Sequence, residues 1–168
     1  MKHVYRTPSA LLAIVFGGLL SASGGQAATV SDTMSVSANV LSVCVVNAGD
    51  MVFGNVDPTS GSAVDQTASI SVLCTKGTSF TVGLNAGTAS GATVTSRHMI
   101  GGTDQLGYAL YRDAARTANW GNTPGTDTPA AQVAASTAST LTVYGRIPGG
   151  QNVTAGSYAD TITVTVNY

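Results

Sequence analysis

The chain has no glutamate, and only 9% of its 168 residues are charged. Exposed helix faces are usually built from Glu, Lys, Gln and Arg, so this shortage argues against a helical protein. Thr, Ser, Val, Ala and Gly are abundant instead, a composition suited to pleated strands and tight turns. An all-β domain is expected. Basic residues are scarce too: beyond residue 27 only Lys76, Arg97, Arg112, Arg116 and Arg146 face eight aspartates, with no basic cluster. Nucleic acid and anionic lipid are poor partners for such a surface.

Long hydrophobic runs are missing as well. The apolar stretch Leu11 to Leu20 is about ten residues, against the roughly 18–20 a spanning helix needs. It follows Lys2, His3 and Arg6 and precedes the small residues Gly25-Gln-Ala27, so residues 1–27 read as a secretory signal peptide. Export without later membrane insertion is expected, and residues 28–168 are the size of one domain. The chain has two cysteines. In an oxidising destination Cys44 and Cys74 most simply pair with each other.

Groups that carry chemistry are sparse. His98 is the one histidine outside the signal, and no H-x-x-x-H or C-x-x-C pair accompanies it, which argues against a transition-metal site. Asp50, Asp57, Asp65 and Asp127 lack EF-hand spacing and read as solvated turn residues. There is no G-x-S-x-G elbow, and His98, between strand candidates, reads as a surface or packing residue. Asp104 and Asp113 form the one tempting carboxylate pair, better explained by turn or salt-bridge duty. Gly101, Gly102 and Gly107 read as turn residues rather than a phosphate cradle. Trp120, Tyr108, Tyr111 and Tyr144 suit core packing better than a sugar platform. Asn152-Val-Thr154 fits a glycosylation sequon. No enzyme and no cofactor are expected.

The chain does carry one unusual pattern. From Thr29 to Val40 nearly every even position is apolar (Val30, Met34, Val36, Ala38, Val40) and every odd one polar, with Asp32 interrupting the apolar face. That is one face of a β-strand. The run is about twice the mean strand length of roughly 5–6 residues, so part of it is available to another subunit. At Leu41, Val43 and Val45 the apolar parity changes, marking a bend, bulge or new strand. Further strands are expected at Met51–Phe53, Ala68–Cys74, Ser79–Leu84, Gln105–Arg112, Thr140–Ile147 and Asp160–Tyr168, while Ala130–Ala135 reads as loop or edge. Turn-rich connections between short strands indicate a β-sandwich or barrel without an internal domain boundary. In the last strand Ile162, Val164, Val166 and Tyr168 share one face, and an ideal strand reaching the final residue suggests a pairing partner.

Leu106-Gly-Tyr-Ala-Leu-Tyr-Arg-Asp-Ala-Ala-Arg116, Asn119-Trp-Gly-Asn122, Val143-Tyr-Gly-Arg-Ile147 and Gly156-Ser-Tyr-Ala-Asp-Thr-Ile-Thr-Val-Thr-Val-Asn-Tyr168 together resemble the spore coat protein U domain family, which includes subunits of archaic (Csu-type) chaperone-usher pili. Cys44, Phe53-Gly54, Ile70-Ser-Val-Leu-Cys74, Arg97-His-Met99 and Gln151 extend the likeness over essentially all of residues 28–168. The resemblance implies an incomplete immunoglobulin-like sandwich that lacks one strand and exposes a hydrophobic groove. A periplasmic chaperone would fill the groove until, at an outer-membrane usher, the N-terminal extension of an identical or related pilin subunit replaces it by donor-strand exchange. Residues 28–38 would be that donor, with Val30, Met34, Val36 and Ala38 inserted and Asp32 among them, and 39–168 the pilin domain. Ile162, Val164, Val166 and Tyr168 would border the groove and pair with the chaperone, and Cys44–Cys74 would be the family disulfide. The expected product is a structural subunit of a surface fimbria supporting adhesion and biofilm formation. The competing expectation is a secreted coat or carbohydrate-binding module that does not polymerise.

Overall fold

The computed structural model describes residues 25–168, so residues 1–24 of the expected signal peptide lie outside the described residues. The chain divides into two units, Met1–Ala38 and Asn39–Tyr168. In the first, residues 25–38 form no strand or helix, and Val30, Met34 and Val36 are exposed. The alternating run from Thr29 to Val40 thus belongs to no ladder of the described residues.

The second unit contains eight strands: β1 (Cys44–Ala48), β2 (Val64–Cys74), β3 (Ser79–Leu84), β4 (Arg97–Gly101), β5 (Asp104–Tyr111), β6 (Gln132–Val133), β7 (Ser139–Ile147) and β8 (Val164–Asn167). They form two sheets, ordered β1-β2-β7-β5-β4 and β6-β3-β8, and every pairing is antiparallel. The period-2 pattern decides which side chains point inward. Ile70 and Val72 of β2, Leu106 and Leu110 of β5 and Leu141, Val143 and Ile147 of β7 turn toward Phe80, Val82 and Leu84 of β3. Burying each of the larger side chains contributes about 1.5–3 kcal/mol. The result is an all-β sandwich, as the composition predicts.

Two polar devices hold the sheets together. Trp120 is buried, and its indole Nε1–H donates to Val82 O at 2.8 Å, so it fills the core and cannot be a sugar platform. Arg97 is 0% exposed. Its guanidinium donates to Asn85 O (2.9 Å), Val94 O (2.8 Å), Leu84 O (3.1 Å) and Trp120 O (2.7 Å). One side chain of β4 thereby satisfies carbonyls of three loop and strand ends, since buried carbonyls without partners are costly. Burial pulls its pKa below the ordinary arginine value.

The structure corrects several sequence expectations. Met51–Phe53 is not a strand, although Met51 and Phe53 point inward and Val52 outward. His98 lies within β4 rather than between strands, and Gly107 lies within β5, exchanging hydrogen bonds with the Gln151 amide. Asp65 belongs to β2, not to a loop, and pairs with Arg146 at 2.7 Å and Arg116 at 3.3 Å. The last strand starts at Val164 rather than Asp160, because Ala159 to Thr163 bond to other elements as described below.

Cys44 opens β1, closes a disulfide to Cys74 at the end of β2, and the two are register partners. Around them Thr75 ties the chain upstream of β1: Thr75 N donates to Val43 O, Thr75 Oγ1 to Leu41 O, and Val43 N to Thr75 Oγ1. The bridged residues are 30 apart in sequence, and on the loop-entropy model closing such a loop stabilises by about 3–4 kcal/mol. Replacing both cysteines by alanine is expected to remove about that much, seen as a lower denaturation midpoint together with a larger m-value, because the denatured chain is then less compact.

Candidate strand-binding groove

Among the described residues, strand β8 is hydrogen-bonded to β3 on one side and to no strand on the other, and β1 likewise ends its sheet. Beyond Ala48 the chain keeps one backbone bond, Gly49 N to Ser69 O at 2.8 Å, and then Asp50 to Val56 make no backbone hydrogen bond among the described residues. This segment forms one lip of a cleft. The other lip is Ser157 to Val164, and the cleft between them has a volume of about 1080 Å³. Its floor is the apolar interior of the sandwich, including Ala68, Ile70, Leu106, Leu110, Val143 and Ile147. Met51 and Phe53 pack down onto Gly145 of β7, where a Cβ would collide with both. Phe53 also meets Tyr108 edge-on, with ring centroids 6.4 Å apart.

A short backbone bridge and several side chains hold the second lip in place. Ala159 exchanges two backbone bonds with Ile100 of β4, at 2.8 and 3.1 Å, and Thr163 N donates to Asn85 Oδ1 at 2.9 Å. Between these anchors stands Asp160. Tyr108 Oη donates to its Oδ2 at 2.7 Å, while Oδ1 accepts Thr88 N and Thr88 Oγ1 at 2.8 Å each and Thr161 N at 2.7 Å. Gly87 has φ +90°, and a Cβ there would overlap the carboxylate, so only glycine lets the 87–88 turn approach. Partial burial pushes the Asp160 carboxyl upward, but the bonds from Thr88, Tyr108 and Thr161 outweigh it and hold the carboxyl below its ordinary value. Burial, reinforced by Asp160, pushes the Tyr108 phenol well above its usual range; the phenol therefore stays protonated and donates.

The residues singled out in the sequence fall in different places. Ile162 and Val164 line the cleft, whereas Val166 lies further along β8 and Tyr168, exposed, beyond its end. Val30, Asp32, Met34, Val36 and Ala38 are exposed, and Asp32 Oδ1 accepts Thr33 N. Asp113 is a turn acceptor, for Thr117 N and Ala118 N, whereas Asp104 opens β5 and its Oδ2 accepts Thr154 N from a segment distant in sequence rather than serving a local turn. Among the described residues no group of three or more His, Cys, Asp or Glu could hold a metal ion. Sequence reasoning missed Met51, Val56, Met99, Tyr108 and Asp160 as groove residues. A signal existed for two of them, since Met51 and Phe53 alternate around Val52 and Asp160 interrupts the apolar face that Ile162 begins.

A carboxyl depressed in the folded state stabilises it above the unfolded pKa, about 3.9, and loses that contribution as pH falls through the lower folded value. Asp160→Asn should therefore lower stability at neutral pH by about 1–3 kcal/mol, the range for a charged hydrogen-bonding partner. The deficit should start to shrink as pH falls below about 3.9 and be lost only as pH passes through the lower folded value, where the wild-type carboxyl is neutral too. Thermal melts of both proteins across that range check this.

A family model for the Spore Coat Protein U domain matches residues 30–165. Protein U of Myxococcus xanthus is 36% identical over 165 residues, covering 89% of this chain and 91% of that protein. Among solved structures, the CsuC-CsuE chaperone-tip adhesion subunit pre-assembly complex from archaic chaperone-usher Csu pili of Acinetobacter baumannii is similar, with a TM-score of 0.56 and 23% identity. The similarity covers 77% of this chain but 40% of the solved one, which shares the fold. On the extent of the family match and the identity to Protein U, the chain belongs to the spore coat protein U domain family.

Proposed function

We propose that this protein is a structural subunit that polymerises by donor-strand exchange, its residues 28–38 filling the groove of a neighbouring copy or related subunit. The observation that carries this reading is the cleft itself: an apolar floor between two lips, one of which offers an unpaired backbone from Asp50 to Val56. Exposed sheet edges invite an added strand. The exposed, alternating arm has the matching form, with Val30, Met34 and Val36 on one side. Burying those three side chains contributes about 1.5–3 kcal/mol each before ordering costs.

A periplasmic chaperone occupying the groove before assembly, and an outer-membrane usher where exchange takes place, complete the scheme. The solved relative supports the first, because it is a complex of a chaperone with a pilus subunit. The assembled form is a cell-surface fimbria serving adhesion and biofilm formation, and the role is structural rather than catalytic. The family description and Protein U give some support to a second reading, a secreted coat module that stands alone.

Removing residues 29–35 should leave a chaperone-bound monomer that forms no filaments, and filaments of normal length from that deletion would refute the proposal. A synthetic peptide of residues 28–40 separates the two readings directly. Present at about one hundred times its dissociation constant, a bound strand adds about 2.7 kcal/mol and raises Tm by about 5–10 °C. A stable monomer whose melt ignores the peptide would favour the coat module.

A further inference from the structure

The groove and the arm carry charges of the same sign. Asp50 and Asp160 line the cleft, and no lysine, arginine or histidine does. Arg97 is fully buried with its guanidinium directed at carbonyls. Arg116 and Arg146 pair with Asp65, and Arg112 donates to Thr128 O.

In the arm, Asp32 shares a face with Val30, Met34 and Val36, because alternate residues of a strand point the same way. Seating the apolar three in a groove carries the Asp32 carboxylate in among them. No cation waits for it there. Asp160 offers no proton, since Tyr108, Thr88 and Thr161 all donate to it and hold it ionised. Tyr108 and Tyr158, the phenols along the cleft, already donate to Asp160 and to Thr154 O. Neutral donors remain, Asn55 and Ser157 among the lining residues, but a carboxylate taken from water with no cation beside it is expensive enough to favour its protonated form.

Resting on the donor-strand reading above, we propose that Asp32 gates the joint between identical copies: the arm enters a second copy's groove with Asp32 protonated, and neutral pH holds the joint back. Binding then takes up a proton, so affinity strengthens as pH falls, by up to about tenfold for each pH unit.

The test uses the exported chain from Ala28 onward and labelled peptides of residues 28–40, wild type and Asp32→Asn, followed by fluorescence anisotropy. At about pH 7.5 the Asn peptide should bind at least about tenfold more tightly than wild type, and the gap should narrow as pH falls, closing only near about pH 4. In parallel, full-length Asp32→Asn should sediment as longer assemblies than wild type at neutral pH. Wild-type binding within about twofold of the Asn peptide at neutral pH would overturn the proposal, with the donor reading left standing. An equal pH dependence in the Asn peptide would also overturn it, placing the titrating group in the groove at Asp50 or Asp160. If neither peptide bound at either pH, the donor reading would fall and this inference with it.

Discussion

Among the described residues, strand β8 has a hydrogen-bonded neighbour on its β3 side alone, and the cleft and its lips are arranged around that open edge. An uncovered edge above an apolar floor is unstable in two ways. Its backbone groups compete for any extended chain, and its apolar residues draw the sandwich toward collapse. The second lip is nevertheless fastened, by the Ala159–Ile100 backbone bridge and by side-chain hydrogen bonds. Asp160 fastens the second lip to Tyr108 and Thr88, Asn85 fastens Thr163, and Arg97 ties the C-terminal end of β3 to Trp120. Bonds to ionised groups are the stronger kind, which suits a segment lacking ladder partners.

The disulfide acts on the opposite side of the same problem. Strand β1 ends its sheet and is mostly exposed, so pairing with β2 is its main attachment. Cys44 joins Cys74 at the first residue of β1, and the Thr75 clamp holds Leu41 and Val43 just upstream. Covalent and hydrogen-bonded restraints therefore coincide where the arm leaves the sheet. Surface ion pairs such as Asp65–Arg146 lie elsewhere, on exposed side chains, and contribute little by comparison.

Alternation made β2, β3, β5 and β7 legible, since in each of them the apolar parity matches a buried face. The same signal from Thr29 to Val40 corresponds to no strand within the described residues. Periodicity reports that one face of a segment is apolar; it does not name the chain that covers that face. Strand β4 was hidden for the converse reason: its inward residue is Arg97, a charged side chain whose burial depends on carbonyls from distant loops. The cleft was legible only through family resemblance, because its floor is assembled from five strands and its lips from segments a hundred residues apart.

The division between what is satisfied and what is left open follows from the relative cost of each. With the exception of Asn119 Oδ1, buried side-chain polar atoms in the described residues have partners, whereas the apolar floor of the cleft lacks a complete cover. An unpaired buried polar group costs about 1–3 kcal/mol, while exposed apolar surface costs about 25 cal/mol per Å², spread over the whole area. A domain can tolerate the second deficit and still fold; it can rarely tolerate several of the first. The unpaired lip backbone at Asp50 to Val56 escapes the penalty where water reaches it. A strand entering as proposed would supply apolar cover and backbone partners without having to rebuild the Arg97 and Asp160 networks.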